Sequence, residues 1–133
     1  MSTQTQHTSI LLVEDEPQQR EVLAAVLEAE GYAVLKAESA EAALSHLRDS
    51  RPGIIVTDVK LPGTDGFTFF DTVRQSTTSS STTPFIFITG YNEPQAIERV
   101  KQLGAAGYVT KPYDLSDLLE LIRKTLDAAS QKR

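Results

Sequence analysis

The chain is predicted to form an open α/β sandwich of five strand–helix units, (βα)5, with a parallel sheet in the order 2-1-3-4-5. Three observations lead there. Short apolar runs recur that are too short for helices, each is followed by a stretch of helical periodicity, and right-handed crossovers leave few other ways to connect such units. The runs "SILLV" (9–13), "GIIVT" (53–57) and "PFIFIT" (84–89) are rich in Ile, Val and Phe and read as strands buried on both faces. "YAVLKA" (32–37), only partly apolar, and the short "GYVT" (107–110) suit the two edges. Between them, Val22, Leu23, Val26 and Leu27 make one apolar stripe, and Ala40, Ala43, Leu44 and Leu47 a second. Phe67, Phe70 and Val73 make a third, Ile97, Val100 and Leu103 a fourth, and Leu115, Leu118, Leu119, Ile122 and Leu126 a fifth. Pro17 suits a first helical turn, Gly31 and Gly104 suit helix exits, and Ser39 and Asp114 suit N-caps.

A length of 133 residues supports one core, expected over 9–128, with a flexible N-terminal arm (1–8) and a short C-terminal tail (129–133). The polar start and short end "AASQKR" leave no room for an output domain, so a stand-alone unit and a piece of a longer protein both remain open. The absence of cysteine excludes disulfides and thiolate chemistry. A net charge of -5 argues against direct nucleic-acid binding, which needs clustered Lys and Arg. No apolar run approaches the roughly 18 residues of a membrane span, and no signal peptide is visible, so the expected location is cytoplasmic with no membrane contact.

In the order 2-1-3-4-5 the ligand crevice opens at the carboxyl ends of strands 1 and 3, where the winding direction reverses. Strand 3 ends at Asp58 and strand 1 at Glu14 and Asp15. Three carboxylates converging in a partly desolvated cleft repel one another by several kcal/mol unless a cation sits among them. Oxygen ligands without His or Cys select Mg2+, which commonly binds through carboxylates plus a phosphate. Strands 4 and 5 bring the Thr89 hydroxyl and the Lys111 ammonium to the same rim. Acid cluster, metal, hydroxyl and cation together suit phosphoryl transfer, with Asp58 as nucleophile forming an acyl phosphate.

"LLVEDE", "TDVKLPGTDG", "FITG" and "YVTKP", in this order, resemble the receiver domain of two-component response regulators over roughly residues 8–128. The resemblance implies a flavodoxin-like three-layer sandwich and a binding switch that catalyses only its own phosphorylation and dephosphorylation. It implies that Asp58 accepts a phosphoryl group from a phosphohistidine on a sensor histidine kinase or phosphotransfer protein. Asp15 would bind Mg2+ directly, Glu14 mainly through water, and the Lys60 backbone carbonyl would complete the protein ligands. Lys111 would pair with the phosphoryl oxygens, Thr89 would hydrogen-bond one of them, and Lys111–Pro112 would be cis. Thr89 and Tyr108 would form the switch, and a downstream protein would bind the face of helix 4, strand 5 and helix 5. Two positions depart from the commonest pattern: Glu14 stands where Asp is commoner, and Gly90 where Ala is also usual.

Singly, these residues have plainer readings: Asp58 as a turn former, Glu14 and Asp15 as a capping pair, Lys111 as a loop lysine and Tyr108 as an edge-strand packing residue. His7 and His46 read as solvated, and "STTSSSTT" (76–83) as a mobile connection, or alternatively a partner contact or modification site. Two rival functions fit less well. A haloacid-dehalogenase phosphatase needs a second Asp where Lys60 stands. A flavin electron carrier needs a phosphate cradle where "EDEPQQ" would repel one.

Overall fold

The computed structural model describes residues 8–77, 79–90 and 92–131. The elements run β1 (Ser9–Val13), α1 (Pro17–Ala29), β2 (Ala33–Ala37), α2 (Ala40–Asp49), β3 (Ile54–Asp58), α3 (Gly66–Arg74), a 3-10 turn (Ser79–Thr82), β4 (Phe85–Gly90), α4 (Pro94–Leu103), β5 (Gly107–Lys111) and α5 (Leu115–Gln131). All strand pairs are parallel and the sheet order is β2-β1-β3-β4-β5. This is the flavodoxin-like (βα)5 sandwich. His7 and most of the expected N-terminal arm lie outside the described residues.

Strand alternation splits the core in two. Leu11, Val13, Ile55, Phe85 and Phe87 face α2, α3 and α4, where they meet Ala43, Leu47, Phe69, Phe70 and Val100. Ile10, Leu12, Ile54, Val56, Ile86 and Ile88 face the opposite way, onto Leu23 and Leu27 of α1 and Leu118 and Ile122 of α5. The central strands are therefore anchored on both sides. The aromatic rings of α3 brace β4: Phe69 and Phe70 lie 5.5 and 4.9 Å from Phe85, and Phe67 lies 5.4 Å from Phe87. Such pairs add about 0.5–1.5 kcal/mol each beyond the area they bury. They steady the strand that carries Thr89.

Helix ends follow local chemistry. Ser39 accepts the Ala42 amide, and Gly104 closes α4 in the left-handed region at φ 77°. Asp65, not anticipated from sequence, caps α3 by accepting the Thr68 amide at 2.8 Å. At the start of α5 the carbonyl of Asp114 accepts from the amides of Asp117 and Leu118. The Lys111–Pro112 peptide is cis.

Several details differ from the sequence-based expectation. Val22 was assigned to the inner stripe of α1 but is 57% exposed, and Leu115 at the start of α5 is exposed too. The inner face of α1 is carried by Leu23, Ala24 and Leu27. Phe69, outside the expected α3 stripe, is fully buried between its neighbours and Phe85. The 76–83 connection holds a 3-10 turn, with Ser80 and Thr83 buried. Arg74 ties it down by donating to the carbonyls of Ser81 and Thr83 at 3.1 and 2.9 Å while its guanidinium sits 4.5 Å over the Phe70 ring. Finally, α5 continues to Gln131, into the stretch expected to be tail, and His46 Nε2 lies 2.9 Å from the Lys36 carbonyl rather than standing free in solvent.

Gly66 fixes the turn after β3. A Cβ there would lie 2.4 Å from the Asp58 carbonyl oxygen and 3.0 Å from the Val59 Cα, and the Gly66 amide donates to the Val59 carbonyl at 2.8 Å. Both obstacles are backbone and cannot turn aside. Gly66→Ala should therefore destabilise the fold by about 1–3 kcal/mol, the range for overpacking, read as a lowered midpoint in urea denaturation.

Candidate functional site: an acidic crevice at the switch point

Strands β1 and β3 are neighbours, and their carboxyl ends place Glu14, Asp15 and Asp58 on one rim. One carboxylate oxygen from each lies within 4.8 Å of the others, Glu14 and Asp58 buried and Asp15 exposed. Asp58 is the last residue of β3, inside the strand and only 4% accessible. It is held there by pairing with Ile88, and the next amide, Val59, donates to the Ile88 carbonyl at 2.9 Å. Register then carries Thr89 beside Thr110 and Gly90 beside Lys111, so β4 and β5 deliver the hydroxyl and the ammonium to the same mouth. The crevice, about 320 Å³, is lined by Asp15, Asp58, Lys60, Thr89, Gly90, Glu93 and Lys111 among others.

Lys111 Nζ lies 3.5 Å from Asp58 Oδ1 and 3.7 Å from Glu14 Oε1, and donates to Gln19 Oε1 at 3.3 Å. One half-exposed cation is thus shared among three acceptors. Glu14 is further fixed by the Glu16 amide at 3.0 Å, and Arg20 donates to its backbone carbonyl at 2.8 Å. Both ionised, with carboxylate oxygens within 4.8 Å of one another, Glu14 and Asp58 would repel by roughly 3 kcal/mol or more at an effective dielectric near 20. The Asp58 carboxyl is accordingly pushed up from 3.8 to about 8. Burial is the largest cause, followed by the hydrogen bond and negative charge of Glu14, with Lys111 opposing and Asp15 adding a little. Burial, followed by the nearby Asp58 and Glu14 carboxylates, also raises the Tyr113 hydroxyl.

Asp58 Oδ1 and Thr89 Oγ1 are buried and have no hydrogen-bond partner. Unpaired buried polar atoms are costly, and here both face the mouth. The donor set of three carboxylates is hard oxygen, suited to a divalent cation such as Mg2+. Cation and oxyanion together would satisfy what the protein leaves open.

The proposed site residues Glu14, Asp15, Asp58, Lys60, Thr89 and Lys111 lie on this one rim, whereas Tyr108 lies further back on β5, opposite Phe87 and packed on the α4 side of the core. Sequence reasoning missed Glu93, whose carboxylate meets Lys60 Nζ at 2.6 Å across the mouth. No motif carries it; only its place as the residue before Pro94, at a helix start, hinted that it stood near the rim.

An acidic crevice at the switch point of a (βα)5 sandwich, flanked by a hydroxyl and an ammonium from the next two strands, defines the class. The family model described as the response regulator receiver domain matches residues 10–123. The chain is 34% identical to protein PilH of Pseudomonas aeruginosa over 119 residues, covering 88% of this chain and 96% of that protein. It is 30% identical to sporulation initiation phosphotransferase F of Bacillus subtilis over 121 residues, covering 91% and 95%. The chemotaxis response regulator CheY4 of Vibrio cholerae superposes with a TM-score of 0.80 at 28% identity, covering 90% of this chain and 99% of CheY4. The chain belongs to the response regulator receiver domain family of two-component systems. Receiver domains are signalling switches rather than enzymes that turn over an outside substrate. Among the described residues, no helix is long and apolar enough to cross a membrane.

The raised Asp58 pKa has a thermodynamic consequence. Between its unfolded value near 3.8 and about 8 the folded state binds more protons than the unfolded one, so stability falls as pH rises through that window. In EDTA, the melting temperature of the wild type should decline toward pH 8 more steeply than that of Asp58→Asn, which should be the more stable of the two at that pH. Parallel melting curves for both proteins across the window would contradict the buried, raised carboxyl.

Proposed function

We propose that the chain is a phosphorylation-controlled binding switch in which Asp58 accepts a phosphoryl group from a phosphohistidine of a sensor kinase or phosphotransfer protein. The observation that carries this is the pair of buried oxygens without a hydrogen bond, Asp58 Oδ1 and Thr89 Oγ1, in one crevice with Lys111 ion-paired to the first at 3.5 Å. A carboxylate oxygen of Asp58 attacks phosphorus and forms the acyl phosphate P–O bond as the bond to the donor nitrogen breaks; the freed imidazole takes up a proton. Thr89 donates to one phosphoryl oxygen and Lys111 pairs with another. Asp15 would hold Mg2+ directly, Glu14 would act mainly through water, and Asp58 and the Lys60 carbonyl would complete the protein ligands. Bound there, Mg2+ neutralises charge on the carboxylate and on the transferring phosphoryl group. Asp58, neutral while metal-free at moderate pH, would ionise once a cation offsets Glu14 and Asp15.

The donor must approach from outside the rim. Val22 and Leu115, the two exposed large apolar side chains among the described residues, border a shallow surface depression with Pro112, Tyr113 and Lys111, and Lys111 also lines the crevice. An apolar patch adjoining the mouth suits the protein that carries the phosphohistidine. In this reading the downstream partner binds elsewhere, on the face of α4, β5 and α5. With Mg2+ and acetyl phosphate, the protein should gain one phosphoryl group at Asp58, detected by mass spectrometry, and acetate leaves in place of imidazole. Asp58→Asn should gain none and Asp15→Ala little; equal labelling of Asp58→Asn would overturn the assignment.

The signal leaves through Thr89 and Tyr108. A phosphoryl group adds up to about two negative charges, which draws the unpaired Thr89 hydroxyl inward. Tyr108 lies beside Phe87 in the register of β4 and β5 and is only partly buried, so its ring has room to turn toward the vacated space. The site can bias this equilibrium only by its different interaction with the two states. Beryllofluoride, a stable phosphoryl mimic, should shift the Tyr108 ring resonances of the wild type but leave them nearly unmoved in Thr89→Ala, although that variant still takes phosphate at Asp58. A full Tyr108 response in Thr89→Ala would place the coupling elsewhere.

A further inference from the structure

We infer that Lys60 and Glu93 form an electrostatic latch over the phosphoacceptor, closed in the resting protein and opened by the phosphoryl group itself. The inference rests on Asp58 being the phosphoacceptor. Lys60 Nζ and Glu93 Oε2 meet at 2.6 Å, and both residues line the crevice that holds Asp58, Thr89 and Lys111. Lys60 lies two residues beyond Asp58, on the loop after β3, and its side chain is 81% exposed, with Glu93 as its ion-pair partner. Glu93 is the residue before α4 and is mostly shielded.

The Glu93 side chain stands where acidic residues usually cap a helix, yet it makes no capping hydrogen bond. It turns to Lys60 instead. That turn hangs its carboxylate over Gly90: a Cβ on Gly90 would lie 3.5 Å from Glu93 Oε2 and 2.9 Å from Asn92 Oδ1. Gly90 directly follows Thr89, so the resting protein holds a negative charge over the place where phosphoryl oxygens would arrive.

A phosphoryl group on Asp58 carries up to about two negative charges against the single charge of Glu93. Lys60 moves toward the larger charge, and Glu93, now unpaired and repelled, moves away. A partly exposed ion pair has little net strength, so the exchange is easily driven. Glu93 carries α4 with it, because its carbonyl accepts the Ala96 and Ile97 amides of the first helical turn. Occupancy of Asp58 thereby reaches α4 by a route separate from Thr89 and Tyr108. In the resting state, Glu93 also opposes anionic phosphodonors, whereas Lys60 favours them.

The test uses the full chain with Mg2+ and acetyl phosphate, following the rate of labelling at Asp58. Glu93→Gln should label about two- to fivefold faster than wild type and Lys60→Gln slower by a similar factor, the size expected for a partly exposed charge. The swapped double variant, Lys60→Glu with Glu93→Lys, keeps an ion pair but should not label at the wild-type rate. Beryllofluoride should shift the backbone amides of Glu93 and Ala96 in the wild type, and Lys60→Gln should show part of that shift without it. Wild-type rates in both single variants, or in the swapped protein, would overturn the latch and reduce the pair to a structural tie. Labelling that persists in Asp58→Asn would instead overturn the phosphoacceptor reading, which the latch variants leave intact.

Discussion

A carboxyl group buried at the end of a central strand, beside a second buried acid and with a single shared ammonium for compensation, is the constraint on which the rest of the site depends. Asp58 cannot comfortably ionise there while Glu14 and Asp15 share its rim, and its raised pKa expresses that. The surrounding packing leaves it little room to escape. Ile88 pairs with it in the sheet, and the backbone of Gly66 closes in against its carbonyl. The fold thus keeps a polar group in an unfavourable state that cation and oxyanion would together relieve.

That arrangement is tolerated because the sheet beneath is over-determined. Both faces of β1, β3 and β4 are covered, one by α1 and α5 and the other by α2, α3 and α4. Rings stacked from α3 onto β4 and the Arg74 clamp on the 3-10 turn add rigidity near the entrance of β4. Strain at the carboxyl ends is offset by packing along the strands. A site placed on the ends of four strands, rather than within one loop, also holds its groups at fixed separations without fixing the loops between them.

The parts that the proposed switch would move are correspondingly few and lightly held. Thr89 has an unused hydroxyl, Tyr108 is half-buried at an edge strand, and Lys60 meets Glu93 in a partly exposed pair. Each costs little to displace, and each is joined to a different part of the α4 and β5 side. A switch needs such a division: a rigid frame that senses charge and a compliant margin that rearranges with it.

Much of this was legible along the chain. The five apolar runs, the amphipathic stretches between them and the turn residues at their ends determined the strands, their parallel order and the rim on which Asp58, Thr89 and Lys111 fall, because periodicity and handedness are local properties of the backbone. Boundaries moved by a residue, so that β3 begins at Ile54 rather than Gly53 and ends, as expected, at Asp58. Tertiary structure alone decided which apolar residues of an amphipathic helix are covered: Val22 and Leu23 are adjacent and chemically alike, yet one is exposed and the other buried, since burial depends on what packs opposite. It alone turned a run of Ser and Thr into an anchored 3-10 turn, through an arginine from the preceding helix. It also brought Glu93 to Lys60 across the mouth, a meeting between separate loops that no local pattern records, because ion pairs form in space and the chain's own order says nothing of the distance between its loops.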